Sequence, residues 1–184
     1  KDMSLVYGLK EAIKFAPIPV DGRFPKPNST VADQIFVPNI VIGSISMEQE
    51  DGTETEIFVE DKDNPIAILE GQAPITRFVF STHEYSDEVF KTFMGYVKKT
   101  EDSDEFWEKV PGYSIPTMFM EVITRKLDNS PSKAFQYMPC RIKVLNAMNL
   151  SKDNLAQIDF EVTILANSDG SGKEISNVRI HDLA

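Results

Sequence analysis

Between Gln157 and Ile164 the chain alternates with a strict period of two. Ile158, Phe160, Val162 and Ile164 are apolar, and Gln157, Asp159, Glu161 and Thr163 between them are polar. Successive side chains of a strand point to opposite faces, so this run specifies a half-buried strand. Cys140, Ile142 and Val144 alternate in the same way with Arg141 and Lys143, and the intervening "NAMNLSKDN" is rich in Asn, Ser and Asp, which favour turns. An antiparallel hairpin is expected. With its polar faces together, Arg141 and Lys143 lie opposite Asp159 and Glu161, each exposed pair contributing about 0.2–1 kcal/mol.

Similar reasoning places other elements. "NIVIGSISMEQ" and "TETEIFVE" flank Asp51-Gly52, a dipeptide suited to a tight turn, which predicts a second hairpin with strands near 40–48 and 53–60. Strands are also predicted near 75–81 ("APITRFVFS") and 115–127 ("IPTMFMEVITRKL"), the second apolar on both faces and therefore central. "SLVYGLKEAIKFAPI" suits either a helix or a strand followed by a break; Gly8, Pro17 and Pro19 favour the strand. One helix is expected at 86–95. Ser86 stands at its N-cap, Asp87 and Glu88 put negative charge in its first turn, Val89, Phe90, Phe93 and Met94 form one stripe, and Gly95 ends it. The expected fold class is mainly β, an antiparallel β-sandwich or partly closed barrel with one flanking amphipathic α-helix.

Composition narrows function. The 184 residues, 41% hydrophobic, suffice for one domain spanning 1–184. A formal net charge of −10 repels nucleic-acid phosphates and anionic lipid. No apolar run approaches the roughly 20 residues that span a bilayer, and no signal segment opens the chain, so it reads as soluble and unexported. Cys140, the only cysteine, rules out an intrachain disulfide and suits a reducing compartment.

No catalytic set emerges. His83 and His181 are the only histidines, far apart and without ligand spacing. The carboxylates of "VEDKDN" (59–64) and "KTEDSDEFWEK" (99–109) lack the alternating ligands and central Gly of a calcium loop and read as solvated acidic loops. "SDGSGKE" (168–174) lacks the spacing of a phosphate cradle and reads as a hairpin turn. Trp107, with Phe106 and Val110, reads as packing. The expectation is of a protein that is not an enzyme and takes no metal or cofactor.

The segment 20–39, "VDGRFPKPNSTVADQIFVPN", is long and irregular for a compact domain. Pro25, Pro27 and Pro38 each lack an N–H, which argues against a continuous ladder strand, yet Val31, Ile35, Phe36 and Val37 are costly to leave in water. These four are the assembly-interface candidates, to be covered by a neighbouring subunit.

"LVYGLKEAIKFAPIPVDGRF", the hairpin leading into "TETEIFVEDKDNP", "ITRFVFSTHEYSDEVFKTFMG", the Trp-containing connection and "CRIKVLNAMNLSKDNLAQIDFEVTILA", taken in that order, resemble the tail tube proteins (major tail proteins) of long-tailed bacteriophages and prophages. The Pro-rich 20–39 segment and a C-terminal extension at 167–184 depart from that pattern. The resemblance implies two packed sheets with a flanking helix, and hexameric rings that stack into a hollow tube for genome passage. It implies as partners further copies of the chain and other phage tail proteins, with DNA passing through the lumen without specific binding, and no membrane. The implied location is the virion tail, made and assembled in the bacterial host cytoplasm. Under it "VEDKDNPIAILEGQAP" is a connection between strands. A different class, a monomeric β-sandwich binding module for carbohydrate or protein with Trp107 as platform, suits the same polar loops; so does, more distantly, a metal-dependent enzyme using the acidic ones.

Overall fold

The computed structural model of the chain describes residues 9–41, 43–50, 54–57, 67–70, 75–124, 131–149, 156–168 and 172–183. Their elements are, in order, β1 (Leu9–Pro17), β2 (Ile35–Val37), β3 (Ser46–Glu50), β4 (Glu54–Ile57), β5 (Ala67–Glu70), β6 (Ile75–Thr82), α1 (Asp87–Met94), β7 (Tyr96–Glu101), β8 (Asp104–Lys109), β9 (Met118–Thr124), β10 (Ser132–Asn149), β11 (Gln157–Ile164), β12 (Asn167–Ser168), β13 (Glu174–Ile175) and β14 (Val178–Leu183). The fold is mainly β and antiparallel, with one helix among the described residues. Among the described residues no helix is long and apolar enough to cross a membrane.

The period-two run becomes β11, which buries Ile158, Phe160, Val162 and Ile164. It pairs with β10 on one side, Cys140 opposite Ile164 and Ile142 opposite Val162, and with β6 on the other, Phe160 opposite Phe80. The main sheet runs β2-β1-β9-β10-β11-β6-β3, with β14 attached to β10. β9 is central, as its two apolar faces require, between β1 and β10. The leading segment is strand, β1, rather than helix.

The residues after β2 carry the chain from one edge of this sheet to the other. Ile40 bridges Thr82, the Val41 N–H donates to Ser81 O (2.8 Å), and the His83 N–H donates to Asn39 O (3.1 Å). The sheet therefore curls into a partly closed barrel, bringing Phe15 of β1 within 6.2 Å of Phe80 of β6, centroid to centroid. Phe80 stacks on Phe160 at 5.0 Å, and Phe93 of α1 sets its edge against Phe15 and Phe160, both at 5.3 Å. The helix thus contributes to the barrel core: Val89, Phe93 and Met94 are buried, and Phe90 is partly so.

Gly95 ends the helix in the left-handed region, at φ 69°, and a Cβ there would lie 2.4 Å from the Tyr113 ring. Both facts demand glycine. The Tyr113 hydroxyl donates to Thr92 O at 2.7 Å, tying the following loop to the helix.

Strand β10, 18 residues long, changes phase midway. Phe135 and Tyr137 face the core before Pro139; Cys140, Ile142 and Val144 face it after, because the register with β9 shifts between Tyr137 and Cys140. One extra residue turns the opposite set of side chains inward. The first half serves β9 and β14, the second β11.

Several expectations change. Lys143 does lie opposite Glu161, but Arg141 lies opposite Thr163, and a second irregularity after Val144 puts Asn146 opposite Asp159. Among the described residues the hairpin expected from strands near 40–48 and 53–60 is not found: β3 pairs with β6, and β4 pairs with β5, while the Asp51-Gly52 turn lies outside them. Ladder partners for β3 come from the Phe-rich β6, which offers Phe78 to Met47. The 99–109 stretch is a hairpin rather than an acidic loop. β7 and β8 turn through Asp102 and Ser103, both at positive φ, and Lys98 and Lys99 neutralise Glu105 and Glu108 across the strands. The 167–184 extension supplies β14, an integral strand on β10, and β12 and β13 pair on either side of the predicted turn. Residues 59–66 and 71–74 of the connection "VEDKDNPIAILEGQAP" (59–74) lie outside the described residues.

Candidate assembly surface

On the outer wall a row of side chains crosses five strands in register: Phe36 (β2), Lys14 (β1), Glu121 (β9), Gln136 (β10) and Arg179 (β14). Alternation puts these positions outside the barrel, where charge would normally meet water, yet Lys14, Glu121 and Gln136 are 5%, 1% and 0% exposed. Segment 18–34 lies over them and shares their hydrogen bonds. Lys14 Nζ pairs with Glu121 and donates to Ser29 O (2.9 Å); the Asn28 N–H donates to Glu121 Oε2 (3.2 Å). Gln136 Nε2 donates to Glu121 Oε2 (2.6 Å) and to Pro25 O (3.2 Å). A buried ion pair is sustained only by such pairing and hydrogen bonding.

Beside this polar layer is an apolar one. Ile18, Phe24 and Val31 of the segment pack on Ala16, Phe119 and Met138. Phe24 meets Phe119 edge-on at 6.4 Å, and the Arg179 guanidinium sits 4.8 Å from the Phe24 centroid.

Of the four sequence candidates, Ile35 (8% exposed) and Val37 (0%) belong to the barrel core. They lie in β2, a three-residue ladder strand on β1 that fits between Val31 and Pro38, so the expectation of no ladder strand in 20–39 is corrected. Their cover comes from their own chain, and no neighbour is needed to keep them from water. Val31 is half-buried in the small outer cluster, and Phe36 remains 50% exposed at the end of the outer row.

Sequence reasoning did not identify the sheet edges. Among the described residues β3 pairs only with β6 and β14 only with β10. All five β3 residues are exposed, with Met47 at 60%, and Ile180 on β14 is 57% exposed. Between them lies Tyr137, which is opposite Val178, directs its hydroxyl to Met47 Sδ (3.8 Å) and packs near Phe78 (6.5 Å). An apolar seam so reaches from one open edge toward the other. The alternation of β14 ("VRIHDL") was the available signal.

Chemistry is sparse at the remaining polar positions. Burial pushes the Cys140 thiol up to about 12, and its Sγ donates to Tyr137 O at 3.4 Å. His83 Nδ1 contacts Ala156 O at 2.8 Å. Among the described residues no three His, Cys, Asp or Glu side chains are grouped to hold a metal ion. Trp107 stacks on Phe90 at 5.7 Å, and Phe90 also touches Tyr85 and Tyr96. An open cleft of about 790 Å³ between residues 18–23 and the β12–β13 hairpin has Asp21 and Arg23 as the charged residues of its lining. Comparison with known proteins finds no family model and no curated protein that matches the chain.

Proposed function

We propose that this chain is a self-assembling structural subunit, and specifically a virion protein of the phage tail tube kind that its sequence resembles. Copies would form hexameric rings that stack into a tube for genome passage and meet other tail proteins at its ends. The observation that supports it most is that, among the described residues, β3 pairs only with β6 and β14 only with β10, while Met47 on the one and Ile180 on the other are exposed. An open edge presents unpaired N–H and C=O groups to another strand, and two different edges on one subunit favour head-to-tail association that closes into a ring. The charge of −10 adds support, since a wall of like sign lets DNA slide without adhering. The rival binding-module reading relies on Trp107 as a platform, and stacking on Phe90 engages that ring within the chain.

Sedimentation velocity and negative-stain microscopy of concentrated protein test the proposal. The native chain should form rings or tubes. The double variant Met47→Asp, Ile180→Asp should stay monomeric with native circular dichroism, because both side chains are more than half exposed and Met47 gives up only a peripheral contact with the Tyr137 hydroxyl. A native chain that remains monomeric at all concentrations, or a double variant that assembles normally, sinks the edge-pairing proposal.

A further inference from the structure

We propose that residues 18–34 form a strap that lifts off the outer wall as one unit while the barrel stays folded, with Glu121 as its latch. The inference does not depend on the assembly reading. Three observations carry it. First, the strap adds no strand to the sheet: among the described residues its contacts with the wall are the hydrogen bonds at Pro25 O, Asn28 N–H and Ser29 O, the packing of Ile18, Phe24 and Val31, and the Arg179 guanidinium over the Phe24 ring. Second, among the described residues its remaining hydrogen bonds are internal and survive lifting. Gly22 N–H donates to Pro19 O, Ser29 Oγ to Lys26 O, and Val31 N–H to Gln34 Oε1.

Third, what the strap covers is charged. Lys14 and Glu121 lose hydration when it closes and regain it when it opens, which offsets part of the apolar contact that opening gives up. Gln136 Oε1, buried without a hydrogen-bond partner, also gains water on opening. The barrel core has no such compensation: its Phe15, Phe80, Phe93 and Phe160 cluster only loses contact when opened. Strap and barrel therefore belong to different opening units. Lifted, the strap bares Ala16, Phe119 and Met138 beside the row that ends in Phe36, an apolar outer surface hidden in the closed form.

Native-state hydrogen exchange of the whole chain tests this. The Asn28 amide, which bonds Glu121 directly, should exchange at least about 10-fold faster than amides of β6 and β11, with a denaturant dependence that is smaller than theirs yet not zero, because lifting exposes the surface beneath the strap; zero dependence would mark a local fluctuation and count against the proposal. The double variant Lys14→Met, Glu121→Met removes both charges together and leaves the strap's polar groups facing apolar side chains. Trypsin cleavage after the exposed Arg23 should then quicken at least about 10-fold, with β6 and β11 exchange unchanged. Lys26 precedes Pro27 and is not a competing site. Asn28 exchange that follows the β6 and β11 amides in rate and denaturant dependence overturns the proposal, as does a folded double variant with undiminished protection at Arg23. The wild-type measurement decides the matter alone if that variant does not fold.

Discussion

Cys140 shows how a strand position determines reactivity. It is fully buried where β10 resumes after its phase change, and burial raises its thiol from an ordinary 9.0 to about 12. The folded chain keeps this proton after the unfolded chain has released it. The stabilisation is therefore complete below about pH 9 and declines as pH rises toward 12, with a slope of at most about 1.4 kcal/mol per pH unit. Burial raises Tyr137 and Tyr85 in the same sense. Urea midpoints should fall between about pH 8 and about pH 10.5, and Cys140→Ala should flatten that fall. An unchanged slope in the variant would assign the effect to the tyrosines. The sequence made the burial of Cys140 readable through its alternation with Arg141 and Lys143. Burial of Lys14 and Glu121 was not readable, because an outward charged residue signals solvent unless something distant covers it.

Strand β2 carries the consequence of alternation in three consecutive residues. Ile35 and Val37 face the core and Phe36 faces out. Ile35→Ala should cost about 2–5 kcal/mol of unfolding free energy, whereas Phe36→Ser should stay within about 1 kcal/mol, both by urea titration. Equal effects would mean that β2 is not held in its register with β1. Three prolines nearby hid this strand from sequence reasoning; a strand of three residues needs only three compatible positions, and Pro38 falls just beyond its end. The alternating runs of β6 and β11, the two-faced apolar run of β9, and helix α1 with its apolar stripe and terminal Gly95 were legible because these patterns are local. The β7–β8 hairpin was hidden by its acidic composition, whose charge is cancelled across the strands by Lys98 and Lys99. Pairing of β3 with β6 instead of its sequence neighbour was beyond local reasoning, since it depends on where the barrel closes.

Across the whole molecule, like charge opposes association. Copies that each carry −10 repel at low ionic strength, and the repulsion is screened within about 10 Å at 0.1 M salt. Raising salt from about 0.02 to about 0.3 M should therefore speed assembly, read by light scattering, if apolar and backbone contacts at the edges drive it. Slower assembly in salt would point to complementary charges instead. The order of the sheet reaches further than assembly. Phe15 pairs with Met120, and Phe80 with Phe160, so the strands that enclose the core are contributed by distant parts of the chain. Loop closure must precede most of the stabilising contact, and such topologies fold on the order of milliseconds to seconds. On a ribosome the consequence is a delay: β1 emerges first yet has no β9 beside it until most of the chain is made, and β6 in turn waits for β11, which is made later still. The nascent strands spend that interval as unpaired apolar edges, and the barrel is completed only near the end of synthesis.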